Sequence, residues 1–214
     1  MRQVTRCSTL STGLETKVGR PRETTDAEII HATRQCLLER GVGVSAAEIA
    51  AVLGVSHTTL FHRFGSKEAL LIAALGPSED VEWISAVNEG PDERPIQAQL
   101  VEHARSIASY FREMQQRLGL LQAAGIDPAR VCGSTNAQSS SPERAFQAFV
   151  AWLQRAQDDG RIADCNAETV ASTVLGSLHG HAFLTQTLGL NRALPPGEDH
   201  VEQLVNVLWS GIAD

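Results

Sequence analysis

Aromatic side chains are scarce in this sequence, at 5% of 214 residues with a single tyrosine. The cysteines are few and scattered, and no pair has the C-x-x-C spacing, which argues against a zinc site or a disulfide framework; they are Cys7, Cys36, Cys132 and Cys165. No apolar run approaches the roughly 20 residues that cross a bilayer. The first residues, MRQVTRCSTLSTG, also lack the apolar segment of a signal peptide. We therefore expect a cytoplasmic protein with reduced thiols.

Residues that favour helix are plentiful. Hydrophobic residues make up 43% of the chain, which is enough to bury a core in one large domain or two small ones. Alanine, leucine, glutamate, glutamine and arginine recur throughout, and no segment alternates as a strand does. The sequence therefore predicts an all-α protein.

The net charge of −7 conceals an asymmetry along the chain. Up to Lys67 there are nine basic and six acidic residues, a balance of +3, whereas the remainder has nine basic and nineteen acidic residues, a balance of −10. A positive end on an acidic body suggests that a polyanion binds at the N-terminal third. A segment of +3 could equally arise by ordinary fluctuation, so charge alone does not establish such a partner.

Four short helices are predicted between residues 25 and 75, because a residue that favours the N-cap precedes each one. Glu28 and Glu48 stand three residues after the first two caps and complete capping boxes. The second helix stops at Gly54, and only the residues GVS separate it from the third. Two short helices joined by a tight glycine turn form a helix-turn-helix. The four N-cap residues are Thr25, Ser45, Ser56 and Ser66.

Helical periodicity divides this unit into an inner and an outer face. The apolar residues predicted to pack the two helices together are Ile49, Ala50, Val52, Leu53, Val55 and Leu60. The polar residues predicted to face outward, where they suit base edges and phosphates, are His57, Thr58, Thr59, His62 and Arg63. On this geometry alone, a solvated corner of a helical protein remains an alternative.

The segment GVSHTTLFHRFGSKEALL resembles the DNA-binding signature of the TetR family of bacterial transcriptional regulators, and the similarity extends upstream over residues 25–71. The resemblance implies an N-terminal three-helix DNA-binding domain and a larger helical domain that binds a small molecule. It further implies a homodimer that binds a palindromic operator in double-stranded DNA and releases it when an effector binds. We accordingly expect a flexible arm over residues 1–23, a DNA-binding domain over 24–70, and a ligand-binding and dimerisation domain over 71–214.

The same resemblance indicates which residues contact DNA, and Phe61 stands where the family usually has a tyrosine. The match covers Thr59, Phe61, His62 and Lys67, with His57 and Thr58 at the start of the recognition helix. The helix caps Ser45 and Ser56 are further expected contacts. The segment KVGRPRETT adds a basic arm that could follow the DNA backbone or enter a narrow minor groove, through Lys17, Arg20 and Arg22. A merely solubilising tail remains the alternative for that arm.

The rest of the chain is predicted to form long amphipathic helices, beginning with an apolar stripe over residues 96–121. A pocket for a small, largely apolar effector is expected where aromatic or polar residues lie beside such stripes. The candidates are His103, Tyr110, Phe111, Met114, Phe149, Trp152 and His179. Each could instead be an ordinary core residue, since aromatic stripes at helical spacing usually only pack.

The dimer surface is predicted on the helix over residues 167–187, because a face of small residues there lets another helix approach closely. With apolar residues of the last helix, the predicted contacts are Thr173, Gly176, Gly180, Thr187, Leu204 and Leu208. The alternative is that both faces of this helix pack within one subunit.

No motif for catalysis, for a cofactor or for a metal stands out in the sequence. His179 and His181 lie about 200° apart on a helix, since each residue turns the helix by about 100°, so they cannot chelate one metal from the same face. There is no nucleophile elbow and no phosphate-binding loop. We therefore predict a ligand-responsive regulator, not an enzyme. The alternative is a helix-turn-helix protein with an architectural or partner-binding role.

Overall fold

The computed structural model describes residues 24–76, 81–132 and 141–212, and these residues fold into helices with no strand. The predicted all-α fold is therefore confirmed. None of these helices is both long enough and apolar enough to cross a membrane. In chain order they are α1 (Asp26–Arg40), α2 (Ala46–Leu53), α3 (His57–Phe64), α4 (Lys67–Leu75), α5 (Glu82–Glu89), α6 (Ile96–Ala123), α7 (Pro128–Cys132), α8 (Ser141–Asp158), α9 (Ala167–Gln186) and α10 (Gly197–Ile212).

The first four helices begin where their N-cap residues predict. Both capping boxes form: the Glu28 N–H donates to Thr25 Oγ1 and the Glu48 N–H donates to Ser45 Oγ, each at 3.2 Å. Gly54 ends α2 in the left-handed conformation, with φ 67° and ψ 24°. Gly41 ends α1 differently, with a positive φ of 75° and an extended ψ of −176°.

The N-terminal helices enclose a small core of their own. Its buried members come from α1 to α4 and the loop before α2: Ile29, Cys36, Val44, Ile49, Ala50, Leu60 and Leu70. Leu53 and Val55 pack against it, as predicted. Val52 does not, because its side chain points outward and is 56% exposed. The helix-turn-helix therefore has the predicted inner face apart from one residue.

A second cluster joins this unit to the rest of the chain. It contains Leu37 of α1 and residues of α4, packed on Leu121 of α6, Ile126 of the following loop and Val131 of α7. α4 belongs to both clusters, since Leu70 packs in the N-terminal core and Leu71 packs in the joining one. The domain boundary predicted between residues 70 and 71 falls inside α4, and it stays a prediction.

The C-terminal core is built by α5, α6, α8, α9 and α10. The stripe predicted on α6 is inward-facing, with Leu100, Ala104 and Ile107 completely buried. The sequence interpretation missed α5, whose Trp83 and Val87 pack into this core. Two long helices, α6 and α9, thus form the centre of the body against which the N-terminal helices α1 to α4 are packed.

Candidate nucleic-acid interface

The tight turn between α2 and α3 fixes the two helices as a rigid corner. The Val55 N–H donates to the Ala50 carbonyl at 3.0 Å, which closes the turn over Gly54. Ser56 then caps α3 by accepting from the Thr59 N–H at 3.1 Å, and its hydroxyl also meets Thr59 Oγ1 at 2.9 Å. With Leu60 buried against α2, the opposite side of α3 must face away from the protein.

That outer side presents a mixed polar and aromatic surface. His57, Thr58, Phe61 and His62 are exposed, while Thr59 is half-buried. The rings of His57 and Phe61 lie one turn apart in an edge-on contact, with centroids 6.4 Å apart. Phe61 is 40% exposed, which is unusual for a large apolar side chain. The arrangement offers hydrogen-bonding groups and one apolar ring to whatever lies against α3.

Arg63 was predicted to face outward, and this prediction is wrong. Its guanidinium turns back to the start of α1, where it donates to the Thr24 carbonyl and pairs with Asp26 Oδ1 at 3.1 Å. The cation therefore fastens α3 to α1.

Lys67 begins α4 directly after its cap, Ser66, whose Oγ accepts from the Ala69 N–H at 3.0 Å. Its side chain is half-buried, and Nζ lies 3.4 Å from the Val42 carbonyl. Ser45 sits in the equivalent position before α2 and is exposed. Helix N-termini bearing a serine cap or a lysine suit contact with phosphate. The arm residues Lys17, Arg20 and Arg22 lie outside the described residues.

Three of the predicted effector-binding residues lie in the packed C-terminal core. Phe149 and Trp152 are completely buried, and their rings stack with an interplanar angle of 9°. His103 meets Trp152 edge-on at a centroid distance of 5.2 Å. Burial, the largest cause, lowers the pKa of His103, with the nearby Glu102 opposing it. These residues form an aromatic stack within the core.

His179 and Phe111 lie at a second place, along the contact between α6 and α9, and Met114 lies one turn further along α6. The His179 ring is 5.0 Å from that of Phe111, and its Nε2 accepts from the Gln115 amide at 3.1 Å. Gln115 in turn accepts from the Thr187 hydroxyl at 3.1 Å. Phe111 and Met114 are half-buried. The predicted effector residues are therefore not gathered at a single site.

Tyr110 lies at a third place, in the wall of a cavity of about 560 Å³ between α1, α5 and α6. The other six predicted residues do not line this cavity. Its wall includes Arg34, Trp83 and Arg117, which the sequence interpretation did not select. Arg117 is the one that a signal could have revealed, because it falls at helical spacing on the buried stripe of α6, between Met114 and Leu121.

The predicted dimer residues of α9 form an uncovered face. Thr173 and Gly176 are exposed and Gly180 is half-buried, and a Cβ atom added at either glycine meets nothing within 4 Å. Thr187 is exposed, while Leu204 and Leu208 are half-buried and lean on the C-terminal core. Large exposed apolar side chains lie on α9, α10 and the loop between them, namely Phe183, Leu188, Leu190 and Val207. Such a concentration is typical of an interaction surface.

His179 and His181 have different partners, as their spacing predicts. Whereas His179 contacts α6, His181 stacks on His200 with centroids 4.3 Å apart and donates to the Pro195 carbonyl at 2.9 Å. His200 meets the Ser177 hydroxyl at 3.2 Å. Burial, and then the neighbouring His181, lowers the pKa of His200. This pair fastens the end of α9 to the start of α10.

Residues 29–74 match the family model of bacterial regulatory proteins of the tetR family. The chain is also 29% identical over 109 residues to the HTH-type transcriptional repressor BdcR of Escherichia coli strain K12. That match covers 50% of this chain and spans only 55% of the repressor's length.

Solved structures extend the similarity to most of the chain. A protein from Mesorhizobium loti, described as a TetR-family transcriptional regulator, superimposes with a TM-score of 0.60 over 88% of this chain and 96% of its own, at 20% identity. A regulator from Saccharomonospora viridis, solved in complex with choline, gives a TM-score of 0.59 over 87% and 96% of the two chains, also at 20% identity. At these identities the likeness concerns the fold.

Proposed function

We propose that this chain, which belongs to the TetR family of bacterial transcriptional regulators through its N-terminal domain, is a ligand-responsive repressor that binds a palindromic operator as a homodimer. The single observation that carries the proposal is the exposed outer side of α3 on a rigid two-helix corner. The larger helical body behind that corner leaves a second surface for dimerisation and an interior for an effector.

On DNA, α3 enters the major groove with His57, Thr58 and His62 towards the base edges. Phe61 has no hydroxyl that could donate a hydrogen bond to a phosphate. Its exposed ring suits contact with a thymine methyl group. Ser45, Ser56 and Lys67 lie at the starts of three helices and hold the flanking phosphates. The arm residues Lys17, Arg20 and Arg22 add phosphate or minor-groove contacts ahead of α1.

Two copies meet through α9 and α10. The small residues Thr173, Gly176 and Gly180 let the partner helix approach closely, and Val207 and Phe183 supply apolar surface that is exposed in a single chain. The hydroxyl of Thr173 already donates to the Thr169 carbonyl at 2.8 Å, so burial of this face leaves that donor satisfied. Thr187, Leu204 and Leu208 extend the same contact.

The C-terminal body binds a small effector that lowers DNA affinity. An effector can do so only if it binds more tightly to a conformer whose recognition helices are misplaced. The joining cluster of α1, α4 and α6 is the physical route for this coupling, because α4 packs both in the N-terminal core and in this cluster.

Selection of binding sites from a random pool of duplexes tests the proposal. We expect an inverted repeat whose half-sites lie about one helical turn apart, roughly 34 to 36 Å, because a two-fold axis relates the two recognition helices. A His57→Ala, His62→Ala double variant, which changes only exposed residues of α3, should no longer enrich that repeat. Recovery of the same repeat by the variant, or of no repeat by the wild type, contradicts the proposal.

A further inference from the structure

The cavity between the DNA-binding unit and the C-terminal body has an unusual wall. It is half-open to the surface and has a volume of about 560 Å³, a size typical of small-molecule sites. Trp83 of α5 and Tyr110 of α6 give it aromatic surface, and Arg34 of α1 and Arg117 of α6 give it positive charge. Its carboxylates, Glu82 and Glu113, are both exposed.

Hydrogen-bond donors of the buried wall lack acceptors. Trp83 is 5% exposed and Arg117 is 3% exposed. Neither the indole Nε1 of Trp83 nor Nε of Arg117 finds an acceptor among the described residues. Arg117 makes one long hydrogen bond, from Nη1 to the Gly76 carbonyl at 3.3 Å. Leaving a buried donor without an acceptor is costly, so an acceptor that comes within reach of either atom is favoured.

The charge of this wall is also poorly compensated. No carboxylate of the described residues pairs with Arg117 within 4.0 Å. Burial lowers the pKa of Arg34, and the positive charge of the neighbouring Arg117 lowers it further, whereas Glu113 raises it. A buried guanidinium without a carboxylate partner is expensive, and planar oxyanions fit the fork of arginine well. The charge of this cavity therefore favours an anionic ligand.

We propose that this cavity is the effector site and that it binds a small organic acid, whose carboxylate pairs with Arg117 and Arg34 while an aromatic or apolar body lies against Trp83 and Tyr110. The assignment rests on the proposed function for its regulatory meaning. It replaces the expected largely apolar effector by one with a negative group at one end.

The same arginines supply a link to the DNA-binding unit. Arg34 donates from Nε to the Ala74 carbonyl at 2.7 Å, and Arg117 donates to the Gly76 carbonyl. Both carbonyls lie at the end of α4, whose other end carries Lys67. A carboxylate that draws the guanidinium groups away from these carbonyls loosens the end of α4 and disfavours the conformer in which Lys67 meets phosphate.

Titration calorimetry of the full chain with two pairs of probes tests the chemistry. The acids are benzoate and indole-3-acetate, and their neutral partners are benzamide and indole-3-acetamide. We expect each acid to bind about 10- to 100-fold more tightly than its amide, because a charge-assisted bond to a buried cation is lost in the amide. Equal affinity within both pairs, or no binding of either acid at millimolar concentration, overturns the proposal.

Variants locate the site. Arg117→Gln should remove the preference for acid over amide, and the matched control Arg112→Gln, at an exposed arginine of the same helix, should retain it. Trp83→Phe keeps a ring but removes the unpaired donor, so it should weaken acid binding by a few fold. Arg34→Gln serves as the second charge variant if Arg117→Gln does not fold. An acid preference unchanged in the folded charge variant and in Trp83→Phe overturns the site.

Because the calorimetry needs no DNA, it tests the acid-binding cavity independently of the proposed operator binding. Acid binding that depends on Arg117, in a protein that selects no inverted repeat, keeps the site and contradicts the proposed function. Selection of an inverted repeat without acid preference keeps the function and overturns the site. If the acids bind as expected but leave operator affinity unchanged, the assignment of this cavity as the effector site is wrong.

Discussion

Single residues of the helix-turn-helix divide into those that hold the corner together and those that remain available to DNA. Arg63 belongs to the first group because its guanidinium is engaged by Asp26 and the Thr24 carbonyl. His62, the residue before it, is exposed and belongs to the second. Helical periodicity alone places both residues on the outer face. They differ because the start of α1 provides hydrogen-bond acceptors for Arg63. Contacts from a distant segment thus decide which of two neighbouring side chains stays exposed on the outer face of α3.

Lys67→Ala should weaken binding to all DNA sequences similarly and reduce the slope of log affinity against log salt by about one. The reason is that Lys67 lies at the start of α4, where its ammonium group and the helix amides can meet one phosphate. Fluorescence anisotropy over a salt series measures this slope. Arg192→Ala, an exposed cation of the C-terminal body, is the control and should leave the slope unchanged. A change in sequence preference with an unchanged slope would contradict the assigned role.

His103 should make stability depend on pH. Its folded pKa is lowered, chiefly by burial beside Trp152, whereas the unfolded chain titrates near the ordinary value of about 6.5. The unfolded state therefore binds more protons between the two pKa values, so stability falls as pH drops below about 6.5. Urea unfolding at several pH values should show a smaller fall in His103→Gln than in wild type. The same change at exposed His31 is the control, and an equal effect of both variants would contradict the role of His103.

At the scale of helices, sequence predicts beginnings well where a side chain makes the cap. Later in the chain, Asn166 likewise accepts from the Thr169 N–H at 2.7 Å, and Asp127 accepts from the Ala129 N–H at 2.9 Å. α5 begins instead after Val81, with no side-chain cap, and it has eight residues. Its stability comes from burial of Trp83 and Val87 against other helices. A short helix maintained by tertiary packing leaves little local signal, which is why it was missed.

Gly76→Ala should destabilise the end of α4. A Cβ atom there would lie 2.6 Å from the Ile72 carbonyl oxygen and 3.1 Å from Val131 Cγ1, and the backbone oxygen cannot move aside without breaking the helix end. We expect a loss of about 1–3 kcal/mol in the free energy of unfolding, measured by urea denaturation. Gly119→Ala is the opposite case: nothing lies within 4 Å of its added Cβ, so alanine should stabilise α6 by about 0.5–1 kcal/mol. Equal effects would show that Gly76 has more room than its contacts indicate.

For the whole molecule, the DNA-binding unit was predictable because its determinants are local. Caps, a glycine turn and a short apolar period all lie within about fifty residues. The proposed effector cavity is assembled from α1, α5 and α6, which lie far apart in the sequence, and one of these helices was not predicted. Its arginines could be placed only when the packing was known. Sequence reasoning instead selected aromatic residues beside apolar stripes, and two of these, Phe149 and Trp152, are completely buried in the core.

Gly180→Leu should split the dimer without unfolding the subunit. In a single chain nothing lies within 4 Å of a Cβ added at Gly180, so the subunit itself has room, whereas a partner helix packed on this face does not. Gly119→Leu adds the same side chain to an exposed position of α6 and is the control. Sedimentation should show monomers for Gly180→Leu and dimers for Gly119→Leu. Operator affinity should fall steeply in the first variant alone, because one recognition helix buries too little DNA surface. A stable Gly180→Leu dimer with normal operator binding would place the dimer contact elsewhere on the body.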